Sequence, residues 1–309
     1  MLRLHIAILA LVAVAGCAGP RPLPELPPSG VELEATPFHP QERYQCGPAA
    51  LATVLEVSGV EVTPEALVEQ VWLPGREGSL QIELAAATRR HDRIAYVTAP
   101  DLAAVTAELQ AGRPVLVLQN LGTPRWPVWH FAVVIGFDPD RRRIVLRSGT
   151  TERLEMSLRA FMLSWRMADH WAMVPLEPGQ LPAAADRGLY LSALADLEHA
   201  GRPALAAAGY RAWLETAPDD ALALFGKANS LAGIDSQAAE RALERLLEVR
   251  PGDPAASNNL ARLLLARGCA SEALEVLARS SDTTNERLRD ALEATAKAAA
   301  ALEGEACSD

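Results

Sequence analysis

The sequence predicts an α+β region followed by an all-α region of helical repeats. Three observations carry this. Residues 36–176 mix helical spacing with short apolar runs of strand character. Residues 187–305 read almost wholly as helix and repeat at a fixed offset. Between them, 177–186 contains Pro178, Gly179 and Pro182, a breaker-rich linker.

Composition sets the outer bounds. Half of the 309 residues are hydrophobic and 22% are charged, which supports a packed core and excludes a wholly disordered chain. The net charge of −10 lacks the basic excess of nucleic-acid binders, so no nucleic-acid partner is expected. From residue 176 onward there are 21 acidic and 13 basic residues, an excess read as solvated helix faces. Four cysteines are too few for a disulfide scaffold. There is no Gly-rich phosphate loop, and the His and Cys residues lack metal-ligand spacing. No cofactor and no metal are expected.

The chain opens with ten unbroken apolar residues, Ile6 to Ala15. A bilayer span needs roughly 17–25. Residues 1–17 are therefore read as a signal peptide. Its end, Val14-Ala15-Gly16-Cys17, resembles the lipobox of bacterial lipoproteins. That resemblance implies lipidation at Cys17 and a membrane anchor. Ala18, in place of an inner-membrane-retaining aspartate, implies the outer membrane facing the periplasm. Plain secretion is the competing reading. Residues 18–35 carry Pro20, Pro22, Pro24, Pro27 and Pro28, and are expected to be an extended tether.

Next comes Gln41-Glu42-Arg43-Tyr44-Gln45-Cys46-Gly47-Pro48-Ala49-Ala50-Leu51. Ala50, Leu51, Val54 and Leu55 share one helical face, and Pro48 suits a first turn. Cys46 is thus placed at a helix N-terminus, where free N–H groups are expected to lower its thiol pKa and ready a nucleophile. Glu65 to Trp72, Leu80 to Arg90 and Leu102 to Gln110 read as helices, the last opened by Pro100-Asp101. Val115–Gln119, His130–Phe137, Arg143–Arg147 and Trp171–Val174 read as strands of one antiparallel sheet. Gly136 and Asp138-Pro139-Asp140 are read as ending the His130 strand. The loop Asn120 to Trp129 either walls a cleft with Trp126 and Trp129 or buries both. By itself His130 is an ordinary polar residue at a strand start, and spacing does not bring it to Cys46.

The order Gln-x4-Cys-Gly-Pro-Ala, then His-Phe-x-Val-Val-x-Gly about 80 residues on, resembles the bacteriocin-processing, double-glycine leader peptidases and their stand-alone relatives. These are papain-like cysteine peptidases, and the resemblance covers about residues 36–176. It implies Cys46 as nucleophile and His130 as base and acid. It implies Gln41 as an oxyanion donor with the Cys46 N–H, with Gln45 the alternative. The family's third member, an Asp or Asn on the next strand, falls here on Ser148. Serine can hold a histidine tautomer but cannot stabilise imidazolium by charge. Asp138 and Asp140 are the substitutes to weigh. The substrate implied is a peptide or protein. A catalytically weak or inactive binding module and an acyl or peptidyl transferase remain alternatives.

In the C-terminal half, Trp213-Leu214-Glu215-Thr216-Ala217-Pro218 aligns with Leu246-Leu247-Glu248-Val249-Arg250-Pro251 at an offset of 33. Helix pairs are expected at 187–216, 220–250 and 254–280, with Asn285 to Leu302 as a capping helix. The pattern resembles the tetratricopeptide repeat and implies a protein partner. The whole plan also resembles bacterial lipoprotein cysteine peptidases. Cys269, in a helix turn, and Cys307, past the cap, either pair or stay unpaired. Pairing is possible in an oxidising periplasm.

Overall fold

The computed structural model describes residues 22–40, 45–73, 75 and 78–302. The signal peptide with Cys17, the oxyanion candidate Gln41, and Cys307 lie outside the described residues. No helix among the described residues is long and apolar enough to cross a membrane.

The strands, in chain order, are β1 (Val31–Glu32), β2 (Ile94–Val97), β3 (Val115–Asn120), β4 (Trp129–Asp138), β5 (Arg143–Ser148), β6 (Thr151–Ser157) and β7 (Ala172–Leu176). They form one antiparallel sheet in the order β2-β7-β3-β4-β5-β6, with β1 added on β4. The helices of this half are α1 (Cys46–Val57), α2 (Pro64–Val71), α3 (Gln81–Arg90), α4 (Leu102–Gln110) and α5 (Leu158–Arg166). The four expected strands are all present. β1, β2, β6 and α5 go beyond the sequence expectation.

The sheet is buried on both faces, which is why β4 is a continuous apolar run. On one face Phe131, Val133, Ile135 and Leu118 pack with Leu51, Val54 and Leu55 of α1. On the other, Ala132, Val134, Val115 and Val117 pack with Val105 and Leu109 of α4 and Phe161 and Trp165 of α5. A bulge between Val134 and Gly136 lets Phe137 rejoin the second face.

Gly136 does not end the strand. β4 runs on to Asp138, and β1 crosses Gly136 so closely that a Cβ there would lie 2.4 Å from the Val31 carbonyl oxygen. The described part of the expected tether is likewise folded down. Leu23, Leu26, Val31 and Leu33 pack on the second core face. Proline excludes a central strand but not packing of the leucines between prolines. The buried Arg147 guanidinium secures the chain just after β1, donating to the carbonyls of Glu34 (2.8 Å) and Thr36 (2.9 Å) as well as that of Glu152 (2.7 Å).

The C-terminal half is α6 (Arg187–His199), α7 (Pro203–Thr216), α8 (Ala221–Leu231), α9 (Ser236–Val249), α10 (Pro254–Ala266), α11 (Ala270–Ala278) and α12 (Glu286–Ala301). α7 and α9 end 33 residues apart, at Thr216 and Val249, and α8 and α10 begin at the same offset. Five of these seven helices open on a capping side chain. Asp186, Asp220, Asp235, Asp253 and Asn285 accept first-turn N–H groups. Asp220 also accepts both Arg187 (2.6 Å, twice) and the Trp213 indole (2.9 Å). Burial alone would raise its pKa. Arg187, Trp213 and the Ala223 N–H outweigh that and hold the carboxyl down at about 2.

The linker 177–186 is no free hinge. Tyr96 Oη donates to the Ala184 carbonyl (3.2 Å) and accepts the Asp186 N–H (3.3 Å). Glu108 accepts the Ala183 N–H (2.7 Å) and Arg113 (2.6 Å). Tyr190, Leu191 and Leu194 of α6 join the same core as the second sheet face. The breakers mark a change of direction, and non-local contacts fix it. Cys269, at the start of α11, is buried and disulfide-bonded.

Candidate active site

Three elements bring the site together. Cys46 is the first residue of α1. The helix starts there because Pro48 needs no N–H partner in a first turn and the following alanines and leucines bury one face. Gly47 has to be glycine for a steric reason. A Cβ there would lie 2.3 Å from Ser79 Oγ and 2.6 Å from Ser79 Cβ. The segment leading into α3 is therefore pressed against the first turn of α1. The Ser79 hydroxyl is buried there without a hydrogen-bond partner.

β4 supplies the second residue, His130, one position from its start. The Cys46 thiol lies against the backbone N–H of Phe131, the next residue. Phe131 itself points to the α1 face and packs edge-on against Trp171 with ring centroids 5.8 Å apart. β5 supplies the third. Ser148 Oγ is 2.9 Å from His130 Nε2. With Nε2 engaged by Ser148, Nδ1 is the ring nitrogen left for chemistry. The structure thus gathers Cys46, His130 and Ser148 from three elements spread over about a hundred residues. Among the described hydrogen bonds, none joins Cys46 directly to His130.

Asp138 and Asp140 do not reach the site. Asp138 is the last residue of β4, eight residues from His130, or about 26 Å at roughly 3.3 Å per residue. It accepts the Arg141 N–H (2.9 Å) in the β4–β5 turn.

The electrostatics correct one sequence expectation. The thiol pKa of Cys46 is raised, not lowered. Burial favours the neutral thiol, and it outweighs the N–H groups of Phe131, Gly47 and Cys46, which favour thiolate. Burial also pushes the His130 imidazole down. Among the described residues no carboxylate opposes that, and Ser148 carries no charge. Both shifts favour a resting pair that is neutral thiol and neutral imidazole.

Two surroundings were invisible in the motif. Gln119 pairs in register with His130 and is buried, donating to Ser164 Oγ (2.8 Å) under the strand. A polar residue ending an otherwise apolar strand was its signal. The other is the hairpin before His130. Trp126 and Trp129 are 73% and 54% exposed, so they are not core residues. No group of three or more His, Cys, Asp or Glu side chains able to hold a metal occurs among the described residues.

Residues 33–173 match the family model described as the peptidase C39 like family, and residues 235–298 match a tetratricopeptide repeat model. Among solved structures, a protein from Bacillus anthracis described as C39-like peptidase is 18% identical, with a TM-score of 0.40, over 48% of this chain and 98% of that one. A double glycine motif protease of an AMS/PCAT transporter, solved in complex with the leader peptide, is 19% identical. Its TM-score is 0.35, over 45% of this chain and 89% of that one. No curated protein matches. This chain therefore carries a C39-like peptidase-family domain of antiparallel sheet and helices, followed by a tetratricopeptide repeat region.

Proposed function

We propose that the protein is a membrane-anchored cysteine peptidase whose repeat region binds a protein partner. The observation that carries the reading is the placement of Cys46. It is the first residue of α1 and lies against the N–H of Phe131, the residue that follows His130, whose Nε2 is held by Ser148.

The chemistry follows from the neutral resting pair. As Cys46 Sγ attacks the carbonyl carbon, its proton passes to His130 Nδ1. N–H groups at the α1 start, with Gln41, stabilise the oxyanion. The intermediate collapses, the C–N bond breaks, and the amine leaves with the proton from His130. Water then gives His130 a proton and attacks the thioester. The acid departs and the proton returns to Cys46. Thiol and imidazole must close up in the substrate complex, as catalytic hydrogen bonds often do.

The test is turnover. A synthetic peptide library is incubated with the full chain, Cys46→Ala and His130→Ala, and products are read by mass spectrometry. Cleavage by the wild type alone supports the reading. Absence of cleavage, with Cys46 alkylated at the same rate in wild type and His130→Ala, refutes it. One observation favours a second reading, a binding module without turnover: Ser148 stands where a carboxylate would charge the pair. The anchor rests on Val14-Ala15-Gly16-Cys17. Radiolabelled palmitate should enter the wild type and not Cys17→Ala.

A further inference from the structure

The β3–β4 hairpin combines two properties that rarely coincide, a rigid backbone and bare apolar side chains. Its base is stapled by Asn120, only 2% exposed, whose Oδ1 accepts the N–H groups of Gly122 (2.9 Å) and Val128 (3.0 Å). The Leu121 N–H donates to the Val128 carbonyl (2.9 Å), and the Thr123 N–H to the Trp126 carbonyl (3.1 Å). The Trp126 N–H returns to Thr123 Oγ1 (3.2 Å). On this frame Leu121, Trp126, Val128 and Trp129 are each more than half exposed. Exposed apolar groups gathered on one rigid loop mark a contact surface, and tryptophan gives large contact area at small entropic cost.

Position says what the contact is. Trp129 directly precedes His130 in β4, so the hairpin borders the site rather than a remote surface. On its Gly47 side, Cys46 has the segment from Ser79 into α3, close enough for Leu84 to reach Gly47. The hairpin thus brings uncovered apolar side chains to the β4 side of the site.

We propose that the exposed side chains of the hairpin form the specificity walls of the site. They take an extended peptide with a bulky apolar side chain beside the bond that Cys46 attacks, and Trp126 and Trp129 hold that side chain. The inference rests on the peptide-cleaving reading and names its substrate class.

The experiment uses the full chain and two blocked hexapeptides, alanine throughout except for one central phenylalanine or one central serine. Each is tested for protection of Cys46 from iodoacetamide at pH 9. Dye-labelled copies report binding by fluorescence anisotropy, independent of the thiol. The phenylalanine peptide should bind and protect at about tenfold lower concentration. Trp126→Ala/Trp129→Ala should erase that preference in both the protection and the anisotropy readouts. Equal affinity for the two peptides, or a preference that survives in the double variant, overturns the proposal. So does binding of phosphatidylglycerol vesicles that the double variant loses, without any peptide preference. That outcome would make the hairpin a membrane contact. If the preference appears in anisotropy but no peptide is ever cleaved, the walls stand and the peptidase reading fails.

Discussion

The two ends of β4 are built to opposite plans. At its Gly136 end the backbone is covered by other chain. β1 lies across the glycine, the chain turns tightly through Asp138 to Arg141, and Leu23 and Leu26 pack nearby chain onto the core. At its His130 end the backbone is equally well hydrogen-bonded, but the side chains are left open. The indoles before His130 face solvent, the thiol takes only backbone N–H groups among the described residues, and the histidine has a hydroxyl where a charge would bind it more firmly. The same strand therefore supplies stability at one end and uncommitted chemistry at the other. A rigid scaffold with a partly buried reactive pair at one end is the division expected of a site built at the end of a central strand.

The sharpest test of this contrast removes chemistry without touching the scaffold. Cys46→Ala and His130→Ala should each lower peptide turnover by about a thousandfold or more, with little change in the thermal midpoint. A thermal midpoint that falls along with turnover would erase the distinction between the ends. The converse substitution is Gly136→Val. Its side chain has no room beneath β1, so it should cost roughly 3 kcal/mol of stability, measured by urea unfolding. The folded fraction should still alkylate Cys46 at the wild-type rate. If that rate changes, the two ends are coupled.

A third variant restores the missing charge. With Ser148→Asp, a carboxylate beside His130 Nε2 should raise the imidazole pKa and favour a thiolate–imidazolium pair. In the wild type, His130 lies below its ordinary value and Cys46 above its own. The acid limb of turnover should therefore lie below the ordinary imidazole range, and thiolate should accumulate only above the ordinary thiol range. Ser148→Asp should shift both toward neutrality, with alkylation at pH 7 rising about tenfold. An unchanged profile would show that Ser148 positions the ring and nothing more. The smallest effect is expected of Asn120→Ala. Losing the one Oδ1 that accepts two N–H groups under the hairpin should cost about 1 kcal/mol and speed amide exchange at Gly122 and Val128. Exchange that spreads instead to Arg141 and Gly136 would mean the closed end depends on the open one.

Much of this was legible in the residues. α4 spans Leu102–Gln110, as its spacing and the Asp101 cap require, and the 33-residue offset recurs in helix ends. Helices declare themselves through neighbours three and four residues apart and through their caps, all inside one short window. Strand β6, Thr151–Ser157, was harder. Its Leu154 and Met156 alternate with Arg153 and Glu155, but five of its seven residues are polar because it is a sheet edge.

The site divides the same way. The sequence by itself determined that Cys46 opens a helix, that His130 opens a buried strand, and that a serine follows the next strand. Each depends on local pattern. Only the tertiary structure decided that His130 meets Ser148, that Asp138 is stranded about 26 Å away, and that Leu23 and the linker fold onto the core. It also decided the charge state. A helix N-terminus argues locally for thiolate, but burial is set by every element packed around the thiol. That desolvation is a sum over the whole fold, and no stretch of sequence carries it.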